Sequence, residues 1–261
     1  MRLQQKVAIV TGGASGMGQV IAERFAREGA AVVIADIQEQ QAQAVAAGIR
    51  RAGGRSTAVH VDVVNEAEVQ QLVDDTLSEF RRIDILVNCV GIAEFIPAAE
   101  LSLAQWRRML DVNLTGVFLC CQTVAKVMIA QRAGKIVNFA STAGLTGVPY
   151  MAHYTAAKHG VVGLTRALGV EWGIYNVNVN CICPGATATP MLLESTSAEY
   201  RAERAQRVPL QRLGQPDDQA SVALFLSSPD SDYVTGAVIC VDGGISAMSP
   251  ATSTSALTGK A

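Results

Sequence analysis

Short, β-rich apolar runs alternate with longer segments of helical periodicity along most of the chain. The runs fall at 7–11, 31–35, 56–61, 85–88, 135–140, 177–183 and 238–241. Apolar positions recur at helical spacing over 16–28, 39–52, 66–80, 103–131, 151–172 and 217–227. The runs are nearly continuous rather than alternating, as expected of strands covered on both faces. Alternation of strand and helix implies right-handed crossovers. The pattern therefore predicts an α/β fold: a single doubly wound domain, with a parallel seven-stranded sheet and helices on both faces.

Two segments break the rhythm. Residues 186–214 are rich in Ala, Glu, Arg and Ser and follow a strand end, where open α/β sheets bind ligands; a substrate lid is expected there. Its Glu/Arg-rich part, 199–207, reads as a solvated face. Residues 246–261 lack periodicity and read as a tail, mobile or covered by a partner, behind a domain spanning 1–245.

Composition narrows the function classes. The 261 residues are 49% apolar and 17% charged with a net charge of −2, enough for a large core and without a basic run suited to nucleic acid. The start, MRLQQKVAIVTGG, has too short an apolar stretch for a signal peptide. No apolar stretch is read as approaching the ~20 residues of a membrane helix, which makes the cytoplasm the expected compartment. The six cysteines, each in an apolar stretch, are expected to be reduced and buried; they form no paired C-x-x-C set, and no metal site is expected.

The first chemical signal is Thr11-Gly12-Gly13-Ala14-Ser15-Gly16-Met17-Gly18, between a strand and a helix. A pyrophosphate reaches backbone N–H groups only where no Cβ intervenes, and the helix N-terminus adds partial positive charge. Asp36 ends the second strand, 18 residues after Gly18. A carboxylate there accepts hydrogen bonds from ribose hydroxyls and repels a 2′-phosphate. Neither Ile37 nor Ser15 offers a cation to such a phosphate, so NAD is expected rather than NADP.

Tyr154 and Lys158 are four apart in a helical stretch and share a helix face. A nearby ammonium at ~4 Å is worth about 4 kcal/mol to a phenolate at an effective dielectric of ~20, less a desolvation cost. That would make Tyr154 a usable acid/base, with Ser141, just past a strand end, able to hydrogen-bond the same substrate oxygen.

With these pieces in place, the sequence resembles the short-chain dehydrogenase/reductase family from Gln5 to Ile245. The shared pieces, in order, are TGGASGMG at 11–18, Asp36, Asp62-Val63, NCVG at 88–91, Asn113, Ser141, YTAAK at 154–158, Pro184-Gly185, Thr189, YVTG at 233–236 and VDGG at 241–244. Val90 departs from the alanine usual before Gly91. The resemblance implies a Rossmann-type fold and a catalytic tetrad of Asn113, Ser141, Tyr154 and Lys158. Asn113 would hold a water that relays protons. Cofactor contacts would come from Gly12, Ser15, Gly16, Met17, Gly18, Asp36, Ile37, Asp62, Val63, Asn88, Gly91, Tyr154, Lys158, Pro184, Gly185, Thr187 and Thr189. It also implies a homotetramer.

The expected reaction is direct hydride transfer between NAD(H) and a secondary alcohol or ketone, with Tyr154 moving the proton. Two rivals stand beside it: a 3-oxoacyl thioester reductase, and a non-catalytic NAD-binding regulator. Expected pocket residues are Glu94, Thr142, Ala143, Leu145, His153 and Met191, with Phe95, Pro149, Met151 and Leu192 near them. These are mostly apolar and include no dedicated Arg clamp, which suits a small-molecule alcohol or ketone such as a sugar, polyol or cyclic alcohol.

Overall fold

The computed structural model describes residues 1–249; of the tail read at 246–261, residues 250–261 lie outside the described residues. Seven strands form one sheet: β1 (Val7–Thr11), β2 (Ala31–Asp36), β3 (Arg55–His60), β4 (Ile85–Asn88), β5 (Gly134–Phe139), β6 (Val177–Pro184) and β7 (Val238–Val241). Every pairing is parallel, in the order β3-β2-β1-β4-β5-β6-β7. The helices are α1 (Gly16–Arg27), α2 (Glu39–Arg51), α3 (Glu66–Phe80), α4 (Leu103–Leu110), α5 (Gly116–Gln131), α6 (Ala152–Trp172), α7 (Pro190–Ser195), α8 (Ala198–Gln206) and α9 (Pro216–Ser227).

Period-two alternation sorts the strand side chains into two cores. Ile9, Val33, Leu86, Ile136 and Val179 pack with α3, α5 and α6 on one face. Ala8, Val10, Ile34, Val87 and Ile182 pack with α1, α2 and α9 on the other. Both faces are thus dry, as the continuous apolar runs predict. Helix starts carry local signals. Asn65 accepts from Ala67 N at 3.1 Å ahead of α3, Ser102 and Gln105 form a capping box on α4, and Pro216 opens α9.

Three expectations change. The single helix expected at 103–131 contains a π-helical turn, Asp111–Thr115, between α4 and α5. Read as one unit, Leu103–Gln131 is long and apolar enough to cross a membrane by length and composition. Half of its most apolar window is buried in this fold, so that apolarity serves the core. Cys240 is exposed on the edge strand β7 and Cys89 is only partly covered, while the other four cysteines are buried. An edge strand has a neighbour on one side only, which leaves β7 less covered than β6.

Phe25, on α1, is among the largest fully buried side chains. Phe25→Ala is expected to cost about 3–5 kcal/mol, read as a lower midpoint of urea unfolding with an unchanged slope.

Candidate active site

The strand order reverses direction between β1 and β4, and a cleft of about 620 Å³ opens where the loops after these strands part. Gly12, Ser15, Gly16, Met17, Gly18, Asp36, Ile37, Asp62, Val63, Gly91 and Thr189 line it together. A Cβ on Gly18 would sit 2.0 Å from the Gly12 carbonyl oxygen, so only glycine lets α1 start this close under the loop. Ser15 precedes α1 in an extended conformation, and its side chain caps none of the first-turn N–H groups. Those donors remain for an anion.

Asp36 is buried at the end of β2. Its Oδ2 accepts from Ala14 N and its Oδ1 from Gln38 N, each at 3.0 Å. The carboxylate therefore ties the glycine loop to β2, and each oxygen keeps lone-pair capacity for a hydroxyl. Asp62 sits across the cleft and accepts from Val64 N at 3.2 Å.

Beside this cleft, three groups converge from β5, the turn after it, and α6. Ser141 Oγ accepts from Ala143 N at 3.1 Å and also hydrogen-bonds the Tyr154 side chain. The Lys158 ammonium donates to Phe139 O at 2.9 Å and lies 5.7 Å from the Tyr154 ring centroid. A Cβ on Gly91 would lie 2.9 Å from Asn113 Oδ1 and 3.5 Å from Lys158 Nζ, so a glycine is what lets these two approach.

Asn113 sits in the π turn and is fully buried. Its Nδ2 donates to Ile92 O and Met109 O, both at 3.1 Å, and its Oδ1 accepts from Ile92 N at 3.3 Å. The amide clamps the loop after β4. Both of its donor hydrogens are committed, which leaves one lone pair on Oδ1.

The electrostatics qualify the sequence argument. Burial pushes the Tyr154 phenol above its ordinary value, and the Ser141 hydrogen bond only partly offsets this. Burial also lowers Lys158 to about 8, against an opposing pull from Cys89, Cys181 and Cys183. Desolvation outweighs the Ser141 hydrogen bond at Tyr154 and the pull of the neighbouring thiols at Lys158.

Several expected residues lie elsewhere. Asn88 points into the sheet, donating to Asn138 Oδ1 at 2.9 Å, because strand alternation turns it away from the cleft that Cys89 lines. Pro184 and Gly185 are held against β7, and Thr187 is bridged to Gly214; none of the three lines the cleft. A second cavity of about 490 Å³, which meets the first at Met191, is lined by Glu94, Phe95 and Met191. Ala143 and His153 are buried, and Thr142, Leu145, Pro149, Met151 and Leu192 line neither cavity. Neither ring nitrogen of His153 has a hydrogen-bond partner among the described residues. Sequence reasoning missed Gln105, Ser195 and Glu194 as lining residues; the last two sit in α7, whose exposed residues give no burial signal.

The expected lid does contain structure, the short helices α7 and α8, neither of which buries a residue. Among the described residues no cluster of three or more His, Cys, Asp or Glu could hold a metal ion.

Residues 12–246 match a family model described as Enoyl-(Acyl carrier protein) reductase. The chain is 44% identical to the (2S)-[(R)-hydroxy(phenyl)methyl]succinyl-CoA dehydrogenase subunit BbsD of Thauera aromatica, covering 94% of this chain and 98% of that one. It is 42% identical to the cis-4-hydroxycyclohexanecarboxylate dehydrogenase of Sinomonas cyclohexanicum, with 94% and 98% covered. The crystal structure of levodione reductase superposes with a TM-score of 0.92 at 36% identity, covering 95% of this chain and all of that one.

Lys158 yields a pH test. With the buried amine lowered from 10.5 to about 8, the folded protein releases this proton before the unfolded chain does. Stability from this group is thus lowest below pH 8 and rises between about pH 8 and 10.5, by about 3 kcal/mol in full. Lys158→Met is expected to remove that rise, measured as the difference between the two proteins' urea-unfolding free energies across this range.

Proposed function

The chain belongs to the short-chain dehydrogenase/reductase family and interconverts secondary alcohols and ketones, and we propose that it does so with NAD(H), using Ser141, Tyr154 and Lys158 as its catalytic residues. The observation that carries this reading is the meeting of those three side chains beside a glycine-walled cleft with Asp36 in its lining. The cradle fits a dinucleotide: it has open first-turn N–H groups, a loop with no room for a Cβ at Gly18, and a carboxylate at the end of β2. Ser15, Gly16, Met17 and Gly18 would hold the pyrophosphate, Asp36 and Ile37 the adenosine ribose, Asp62 and Val63 the adenine, and Thr189 the nicotinamide end. When bound, the nicotinamide supplies the hydride acceptor in oxidation and the hydride donor in reduction.

The chain's own residues handle the proton and the geometry. In oxidation, Tyr154 as phenolate takes the hydroxyl proton of the substrate, and in reduction its phenol returns it to the carbonyl oxygen. Ser141 donates a hydrogen bond to that same oxygen and fixes its position. At pH 7 an amine with a pKa of about 8 is mostly charged, so Lys158 presents an ammonium to the phenolate as it forms. Asn113 holds Ile92 and Gly91 in place and keeps the wall behind Lys158 rigid.

Among the described residues no Lys, Arg or His lines the cleft, whereas Asp36, Asp62 and Glu194 do. A 2′-phosphate would add up to about two negative charges there, which supports NAD over NADP. A second reading, reduction of 3-oxoacyl thioesters, draws support from the family model's description and from the CoA-linked relative. A homotetramer is also part of the proposal, supported by apolar side chains exposed on α5 and α6, Phe118 and Val170.

Purified protein is expected to form NADH from a panel of secondary alcohols, sugars and polyols, with much weaker formation of NADPH; Asp36→Ala should narrow the gap between the cofactors. Dominant turnover of acetoacetyl-CoA with NADPH would favour the second reading instead. Tyr154→Phe should keep NADH binding, followed by nicotinamide fluorescence, and lose about 10²–10⁴-fold in turnover. Retained turnover would remove Tyr154 from the mechanism.

A further inference from the structure

The cavity that meets the cofactor cleft at Met191 has an apolar body of Ala93, Phe95, Ile96 and Met191 and three polar side chains, Glu94, Gln105 and Ser195. Among the described residues Glu94 is the only charged one that lines it. Its Oε1 accepts from Arg108 at 2.7 Å, yet Arg108 lies outside the lining. The cation pairs with the carboxylate without lining the cavity, so the acid rather than the base is among the lining residues. Gln105 Oε1 is committed to Ser102, in the capping box that starts α4. Ser195 gives its proton to Met191 O at 2.6 Å and offers only acceptor lone pairs.

The cofactor cleft points the same way. With Asp36 and Asp62 given to the adenosine, Glu194, on the same short helix as Met191, is the carboxylate of that cleft left to face a substrate, and among the described residues no cation lines the cleft. A carboxylate or phosphate on the substrate would be repelled there. A hydroxyl would donate to Glu94 in a charge-assisted hydrogen bond, the stronger kind.

We infer that Glu94, oriented by Arg108, is a specificity-determining residue that selects neutral substrates carrying a second hydroxyl remote from the reacting carbon, such as cyclic diols and polyols. The inference rests on the alcohol-dehydrogenase reading above and specifies its substrate class. Arg108 acts through Glu94 as a positioning residue. Loss of Arg108 would leave the carboxylate in place chemically but free to rotate out of the cavity.

The test compares cyclohexanol, the cyclohexanediols and 4-hydroxycyclohexanecarboxylate as ligands of the wild-type protein, Glu94→Gln and Arg108→Ala. Two quantities are read for each: kcat/KM with NAD, and the affinity for the NADH-bound protein by nicotinamide fluorescence, which needs no turnover. The wild type should prefer its best diol to cyclohexanol by about tenfold, and 4-hydroxycyclohexanecarboxylate should be the weakest ligand. Glu94→Gln should cut the diol-to-monoalcohol ratio by about tenfold, through KM rather than kcat, and should improve the carboxylate. Arg108→Ala should erode the same ratio by a smaller factor.

A ratio that Glu94→Gln leaves unmoved would overturn the inference while turnover of the panel upholds the alcohol reading. A wild-type preference for the carboxylate that Arg108→Ala abolishes would also overturn it and make Arg108 an anion-binding residue. Selective diol binding without turnover would uphold the role of Glu94 and count against the reaction instead.

Discussion

The site exists because a parallel sheet must have its crossovers on both faces. Between β1 and β4 the winding changes direction, so the glycine loop leaves toward α1 on one side while the loop after β4 leaves toward α4 on the other. No connection crosses the gap, and the crevice at the strand ends stays open. Everything the cleft contains is delivered by that divergence. Asp36 comes from the strand beside β1, Gly91 from just past β4, and Lys158 from the helix that follows β5. The backbone bond from Cys89 N to Thr11 O, at 3.2 Å, is where the two diverging loops still touch.

Within the crevice, burial and charge are opposed. Lys158 is only 3% exposed and finds a neutral partner in Phe139 O rather than a carboxylate. A carboxylate in that place would raise the amine's pKa, but it would also quench the field that a forming phenolate needs. The arrangement accepts a destabilised ammonium in return for a charge still free to respond.

Much of the fold was legible because burial on both faces writes each strand as a continuous apolar run, and strand ends were placed within about one residue on that signal alone. The same signal cannot report what has no burial. Helices α7 and α8 bury nothing, so their sequence looks like a loop. The π turn at Asp111–Thr115 is one residue's worth of extra winding within an unbroken helical pattern, too small a phase shift to read from apolar spacing. Glycine loop, Asp36 and the Tyr154–Lys158 pair were legible because close approach and helix spacing constrain residue type. Asn88 stands in the sheet with its amide on Asn138, and Cys89 lines the cleft beside it, a distinction of strand parity that a motif match does not carry. Ala143 and His153 are buried and line neither cavity, since nearness in sequence to Ser141 and Tyr154 does not set which way a turn faces.

The two ends of the lid meet. Thr187 and Gly214 form a parallel bridge, Ala188 N donates to Gly214 O at 2.9 Å, and Gly214 N donates to Ala186 O at the same distance. Gln219 pins this junction from α9, donating to Thr187 Oγ1 at 3.3 Å and to Val241 O at 2.9 Å. A segment closed at its base in this way is a cassette. Its interior buries little, and its loop-closure entropy changes slowly with length. Descendants of this chain can lengthen, shorten or recompose the cap over the substrate without renegotiating the sheet, so the chemistry can stay fixed while the choice of molecule drifts.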